Sequence, residues 1–360
     1  MKFIVDRSTF DRAIKKVLLA TGKKHRVQIL THVAMKVNED GLLLEGTDLD
    51  LGIKIMVPAE VIEEGTTTIS GEKLRNICCY SEGEITFSAT GSRVLVKTSN
   101  SKYSLTGMEY TDFPLLPEVE GKSIIIEQSV LKNSINKVRH AAARSDFRPS
   151  LCGISLEIMD ASISVAATDG NRLSVVDYPL DFAVEETSII IPQKNIGSIV
   201  ELMSGKSDDV KITFGRNKIK FQIKDGEVTS SLIDGKFPNF RHLIPNSSKM
   251  NFEIDRDIFI TSIKKTMFVD DNSVKSVSIS LSDNNVLITS DRNGETAEDS
   301  VEISYKGDPI KASYNASFLL DALQSVSDNL IGIHLNSNKE GMLITSENDM
   351  HNQLVMPQFL

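Results

Sequence analysis

The sequence predicts an α+β fold built from three similar domains, each with two helices packed on antiparallel sheets. Three observations carry this reading. A turn motif recurs: Ala167-Thr168-Asp169-Gly170-Asn171-Arg172-Leu173 near the middle, with weaker copies at Gly46-Thr47-Asp48-Leu49-Asp50-Leu51 and Thr289-Ser290-Asp291-Arg292-Asn293-Gly294. The shared Asp48, Asp169 and Asp291 lie 121 and 122 residues apart, a period constant enough to mark an internal repeat. Each period also opens on a short strand leading into an amphipathic helix, and period-two alternation between the helices gives strands with one face buried and one wet.

The opening helices are expected after strands at 2–5, 123–126 and 251–254, with Ser8, Ser129 and Asp257 as caps that satisfy free N–H groups of the first turn. Behind the caps, Phe10, Ile14, Val17 and Leu18, then Leu131, Ile135, Val138 and Ala142, then Phe259, Ile263 and Met267 fall at helical spacing. A second helix follows in each repeat, introduced by Ser70, by Pro192 as its first residue, and by Asn315. The segments 219–223 and 277–281 read as alternating strands. Phe113-Pro114-Leu115-Leu116-Pro117 and Phe237-Pro238-Asn239-Phe240, each followed by a polar linker, set expected domain bounds of 1–120, 121–246 and 247–360.

With 360 residues, 40% of them hydrophobic and 25% charged, the chain has the make-up of a globular protein of two or three domains. Its apolar runs are strand-length, which predicts no membrane span. Asp6 interrupts what a signal peptide would continue as apolar core, and three cysteines without a CxxC pair suit a reducing compartment, so a cytoplasmic location is expected.

Charge is unevenly spread. The chain carries −9, yet the expected helices (8–21, 71–80, 128–144, 193–206, 255–267 and 315–327) carry a net +8, leaving −17 elsewhere. One helix of this kind is an ordinary solvated face; the pattern across repeats points to a basic surface on an acidic protein, suited to holding a phosphate backbone without reading sequence.

Signatures of catalysis are sparse. The sequence has no Walker A loop, GxGxxG, HExxH or GxSxG, and the six histidines (25, 32, 140, 242, 334 and 351) lack ligand spacing. Asp48 and Asp169 permit a metal-dependent nuclease, but turn residues repeated with the fold explain them better. Asp291-Arg292-Asn293-Gly294 matches half a calcium loop, with no acid at the distance that would complete it. No enzyme activity, cofactor or metal is expected.

Several motifs, in order along the whole chain, match one family: Met1-Lys2-Phe3, Gly46-Thr47-Asp48-Leu49, Thr111-Asp112-Phe113-Pro114, the central turn 167–173, Leu232-Ile233-Asp234-Gly235-Lys236-Phe237-Pro238-Asn239-Phe240-Arg241, and the ending Val355-Met356-Pro357-Gln358-Phe359-Leu360. In these the chain resembles the bacterial sliding clamps, the beta subunits of replicative DNA polymerase III. The resemblance implies three clamp domains per subunit and a head-to-tail ring dimer with the helices lining the hole. It implies a processivity factor that encircles double-stranded DNA regardless of sequence. Its implied partners are the polymerase III catalytic subunit, an ATP-driven clamp loader and other proteins with a clamp-binding motif.

Residue by residue, the resemblance implies a partner-peptide pocket of Leu151, Thr168, Gly170, Asn171, Arg172, Leu173, Pro238, His242, Leu243, Leu354, Val355, Met356, Pro357 and Leu360. It implies DNA contacts at Lys24, Arg144, Ser145, Arg148 and Lys194, and a dimer interface pairing Tyr103 and Leu105 with Phe268 and Val269. Many members have His where Asn171 sits and Arg where His242 sits, and the ending Gln358-Phe359 also departs from the commoner pattern. The tail, mostly apolar, is expected to lie against Leu151, Leu173 and Leu243 as one wall of a groove faced by the 168–173 turn. A monomeric peptide-binding adaptor that never encircles DNA is the alternative.

Overall fold

The computed structural model describes residues 1–22, 25–159, 161–180, 185–244, 252–272, 274–335, 337–346 and 350–358. Its α-helices there are α1 (Arg7–Val17), α2 (Gly71–Cys79), α3 (Gln128–Val138), α4 (Gln193–Leu202), α5 (Arg256–Thr266) and α6 (Ala316–Ser325). None is long and apolar enough to cross a membrane.

The caps of the opening helices α1 and α5 each lie two residues earlier than expected. Asp6, not Ser8, caps α1: its carboxylate accepts the Thr9 N–H at 2.9 Å, while Ser8 lies in the first turn and donates its hydroxyl to Asp6. Asp255, not Asp257, caps α5 and accepts the N–H groups of Asp257 and Ile258, both at 2.9 Å. Ser129 likewise falls inside α3 and donates to Glu127. At α1 a carboxylate at the strand end meets the helix N-terminus with a full negative charge, which the Ser8 hydroxyl cannot offer; at α5 both candidates are carboxylates, and Asp255 is the one that ends the strand. Pro192 ends the strand Thr187–Pro192 instead of opening α4, at a strand end where a missing N–H is tolerated. Asn315 caps α6 as expected, accepting from Ser317 and Phe318.

Each repeat runs strand, helix, three strands, then the same again, with one extra short strand (Glu60–Glu63) in the first repeat. The strand before one helix pairs with the three strands after the other, giving two four-stranded blocks per repeat. In the first repeat Lys2–Asp6 joins Glu84–Thr90, Arg93–Lys97 and Lys102–Thr106, while Gly65–Ser70 joins His32–Asn38, Gly41–Thr47 and Leu51–Val57. Every ladder in these sheets is antiparallel.

Blocks of successive repeats fuse edge to edge. Leu51–Val57 pairs with Gly226–Ser231, and Arg172–Pro179 pairs with His351–Val355, making two continuous eight-stranded sheets. The chain accordingly divides into two compact units, Met1–Lys132 with Asn195–Leu232, and Asn133–Lys194 with Ile233–Leu360. Each unit thus holds one outer repeat and one block of the middle repeat.

In the first unit α1 packs on α2 and on strands Gly41–Thr47 and Leu51–Val57, burying Phe10, Ala13, Ile14 and Val17 at helical spacing. Phe87 stacks on Phe3 with centroids 4.9 Å apart and meets Phe10 at 5.2 Å. In the second unit α5 packs on α6, and Phe259, Ile263, Leu319 and Leu323 close one core with Ile279, Ile288, Ile333 and Ile344. Each such buried side chain contributes roughly 1.5–3 kcal/mol.

Candidate functional site

The central turn is built by its own side chains. Thr168 Oγ1 donates to the Arg172 carbonyl at 2.6 Å and accepts the Gly170 N–H at 3.1 Å. Asp169 Oδ1 accepts the N–H groups of Asn171 and Arg172 at 2.9 and 3.1 Å. Gly170 sits at φ +92°, a backbone conformation that favours glycine, and a Cβ there would lie 3.1 Å from the end of the flexible Arg148 side chain. The first copy repeats every bond: Thr47 with Leu51 and Leu49, Asp48 with Asp50 and Leu51, and Leu49 in the glycine's place at φ 81°. The third copy differs from expectation. Asp291 lies inside the strand Asn285–Arg292, and the turn is the two-residue Asn293-Gly294, both at positive φ, which the right-handed twist of a tight hairpin favours.

Arg172 ties this turn to α6. Its Nε meets Asp169 Oδ2 at 3.0 Å, its Nη1 meets Asp321 Oδ2 at 2.7 Å, and its guanidinium lies 4.2 Å from the Phe318 ring centre. The tail is threaded beside it. Arg172 pairs with Val355 and Leu173 with Leu354, the Met356 N–H donates to the Asn171 carbonyl at 2.9 Å, and the Gln358 N–H donates to Ser313 at 2.7 Å. The described part of the tail is therefore joined to the turn by main-chain pairing through Leu354, Val355 and Met356.

Beneath that surface Leu173 and Leu354 enter an apolar cluster with Ala166, Val175, Ile190, Phe237, Phe240 and Leu343. Val355 points the other way, into the core of the third repeat, because successive side chains of a strand alternate. Thr168 is buried, and Leu151 is buried at the base of loop 144–148, its N–H on the Arg148 carbonyl. Gly170, Asn171, Pro238 and His242 are exposed, Leu243 is 47% and Met356 37% exposed, and Pro357 is half-buried. The surface so formed is an apolar floor with a polar turn and exposed Leu and Met at its margin. Leu360 lies outside the described residues.

Arg144, Ser145 and Arg148 share the exposed loop, and Lys194 is exposed on α4; Lys24 lies outside the described residues. Arg148 grips Asp146 with two nitrogens, at 3.0 and 3.2 Å, which holds the Asp146 carboxyl below its usual range. A cleft of about 420 Å³ brings Arg144 together with Arg139, His140, Gln193, Asp321 and the turn residues Asp169 and Arg172. Burial first, and the neighbouring Arg172 charge next, push His140 down to about 4. The expected DNA-contact loop and the expected pocket turn thus share this cleft.

Tyr103 and Leu105 are half-buried on Lys102–Thr106, one of the two edge strands of the five-stranded sheet. Phe268 is 68% exposed and Val269 half-buried in the short turn Met267–Val269 after α5, which packs on the strands Asn285–Arg292 and Glu295–Glu302. Glu295–Glu302 is in turn a free edge of the four-stranded sheet and carries Glu295, Glu298, Asp299 and Glu302.

Phe318, Asp321, Phe237, Phe240 and Leu343 join this site without having been among the residues expected there. Asp321 is the sole charge on α6, a signal available beforehand. Gly341 is a further unexpected member, where a Cβ would meet Leu354 at 2.8 Å and Met356 Sδ at 3.1 Å. Among the described residues no three His, Cys, Asp or Glu side chains group as a metal site, and the Asp48 and Asp169 carboxylates are taken up in their own turns.

Three family models match in succession: the DNA polymerase III beta subunit N-terminal domain over residues 1–117, central domain over 125–239 and C-terminal domain over 241–359. The chain belongs to the DNA polymerase III beta subunit family, the beta sliding clamps. It is 28% identical to the beta sliding clamp of Salmonella typhimurium over 340 residues, 93% of each chain, and 26% identical to that of Vibrio cholerae over 99% of each. Its fold superposes on the crystal structure of the Pseudomonas aeruginosa DNA polymerase III beta subunit with a TM-score of 0.96, 25% identity and full coverage of both chains. The Bacillus subtilis sliding clamp, at 21% identity, shares the fold with a TM-score of 0.95 over 100% of this chain and 99% of that one.

Proposed function

We propose that the protein is a DNA sliding clamp: a head-to-tail dimer that closes around duplex DNA and tethers the replicative polymerase and other partners through the surface at turn 168–173. The observation that carries this is the sheet-edge pattern. In the first and middle repeats, the strand after the central turn is covered by the last strand of the next repeat. The same rule leaves Glu295–Glu302 without its cover and Lys102–Thr106 without its host, so one edge of a chain is complementary to the other edge of a second copy.

Charge supports that pairing. The acidic Glu295–Glu302 edge meets a block bearing Arg93, Lys97 and Lys102, which favours the correct register over self-pairing of like edges. Arg12, Lys73, Arg75, Arg144, Lys194 and Lys264 are exposed on or beside the helices of each unit, cations suited to holding a phosphate backbone by weak contacts. The clamp hydrolyses nothing; a separate ATP-driven loader opens it. The domain bounds 1–120, 121–246 and 247–360 belong to the same proposal.

Solution mass at low micromolar concentration tests it. A particle of twice the 39.7 kDa chain mass is expected. A particle of one chain mass at that concentration fits the monomeric adaptor and contradicts the clamp.

A further inference from the structure

We infer that Arg241 is a positioning residue for the docking surface: by gripping the outer face of the middle repeat's sheet, it sets the place of His242 and Leu243. The inference rests on the peptide-docking reading of the surface at turn 168–173. Glu157, Ser164 and Asp177 stand directly opposite one another on three neighbouring strands, one polar row across the sheet. The Arg241 guanidinium lies over that row, with Nη2 on Ser164 Oγ at 2.8 Å and on Glu157 Oε2 at 3.7 Å, and Nη1 on Asp177 Oδ1 at 4.0 Å. Ser164 donates its own proton to Asp177, which leaves its lone pairs for Arg241.

The segment around Arg241 has no regular ladder of its own. It is anchored by Ile233, whose N–H donates to Ile190 at 2.9 Å, and by Phe237 and Phe240, buried edge to face with centroids 6.0 Å apart. Arg241 adds the last anchor, 5.4 Å from the Phe240 ring centre, and the turn Arg241–Leu243 begins on it. The exposed His242 and Leu243 follow at once, with the Leu243 N–H on the Phe240 carbonyl at 2.9 Å. Without the guanidinium, Glu157 and Asp177 would face each other across Ser164 with no cation between them, and the segment would lose its only charged tether to the sheet among these contacts. Only the planar fork of arginine spans three strands at once.

The test is calorimetric titration of the full-length protein with a synthetic peptide bearing a Gln near its start and Leu-Phe anchors at its end. Arg241→Ala should weaken binding about tenfold, and Arg241→Lys should recover part of the loss, since an ammonium reaches the carboxylates without spanning the row. In a Leu243→Ala background, Arg241→Ala should cost clearly less than its roughly tenfold effect in the wild type, because one of the two residues it positions is already lost. Unchanged affinity in Arg241→Ala, or a full loss persisting in the Leu243→Ala background, overturns the role. Should Arg241→Ala not fold, the Glu157→Gln, Asp177→Asn pair loosens the same grip. It should weaken the peptide and raise amide exchange over 237–243, and no change in either overturns the role as well. A wild-type protein that binds no peptide is a different failure: it removes the docking reading, and this role with it.

Discussion

At Arg172 one guanidinium holds two carboxylates and an aromatic face from segments about 149 residues apart in sequence. Arg172→Lys keeps the charge but loses the fork. It should lower stability by roughly 1–2 kcal/mol, read as a fall in Tm, and Asp321→Asn should cost less because only one arm is cut. Asp6 makes a second residue-scale prediction. Hydrogen bonds from Ser8 and Thr9 hold its carboxyl down at about 2, below its ordinary 3.8. A depressed folded pKa gives stability that is present above the ordinary value and lost as pH falls through the folded one. Asp6→Ala should therefore lower Tm at pH 7, and the gap to wild type should close as the pH is brought from about 4 to about 2. An equal gap at both ends would remove Asp6 as the cap.

Helices, strands and turns were readable to different depths. The turn at 168–173 is legible because Thr-Asp-Gly supplies every bond the turn needs within its own residues. Helix starts are legible to within a turn, with the caps displaced because each strand ends on an acidic residue, Asp6 or Asp255, that already reaches the free N–H groups of the first turn. Fusion of blocks across repeats is not legible, because the pairing of Arg172–Pro179 with His351–Val355 depends on residues far apart in sequence and on no local signal. The same limit hid the contacts of Phe318 and Asp321 with the turn, which form only once α6 is in place, although Asp321 stands out in sequence as the one charge on that helix. The edge strands carry the element-scale prediction. Leu105→Asp with Phe268→Asp puts two carboxylates where apolar contact is proposed, and should yield folded monomers. A variant that still sediments as a dimer would place the interface elsewhere. Deleting residues 356–360 removes the hydrogen bonds of Met356 to Asn171 and Gln358 to Ser313. It should abolish binding of the peptide while leaving the dimer intact, and equal affinity in the truncated protein would move the partner site.

For the whole molecule, a clamp of the proposed kind retains DNA by topology, with electrostatics as a secondary aid. Glu at Arg144, Arg148 and Lys194 should slow loading, and the salt dependence of residual DNA binding should flatten as phosphate contacts are lost. The most direct measurement is retention on circular against linear DNA, after loading with the clamp loader and ATP, in salt high enough to strip ordinary electrostatic binding. The protein should stay on nicked circular duplex and leave when one restriction cut opens the circle. Equal retention before and after the cut, or equal loss from both, would contradict a closed ring around DNA.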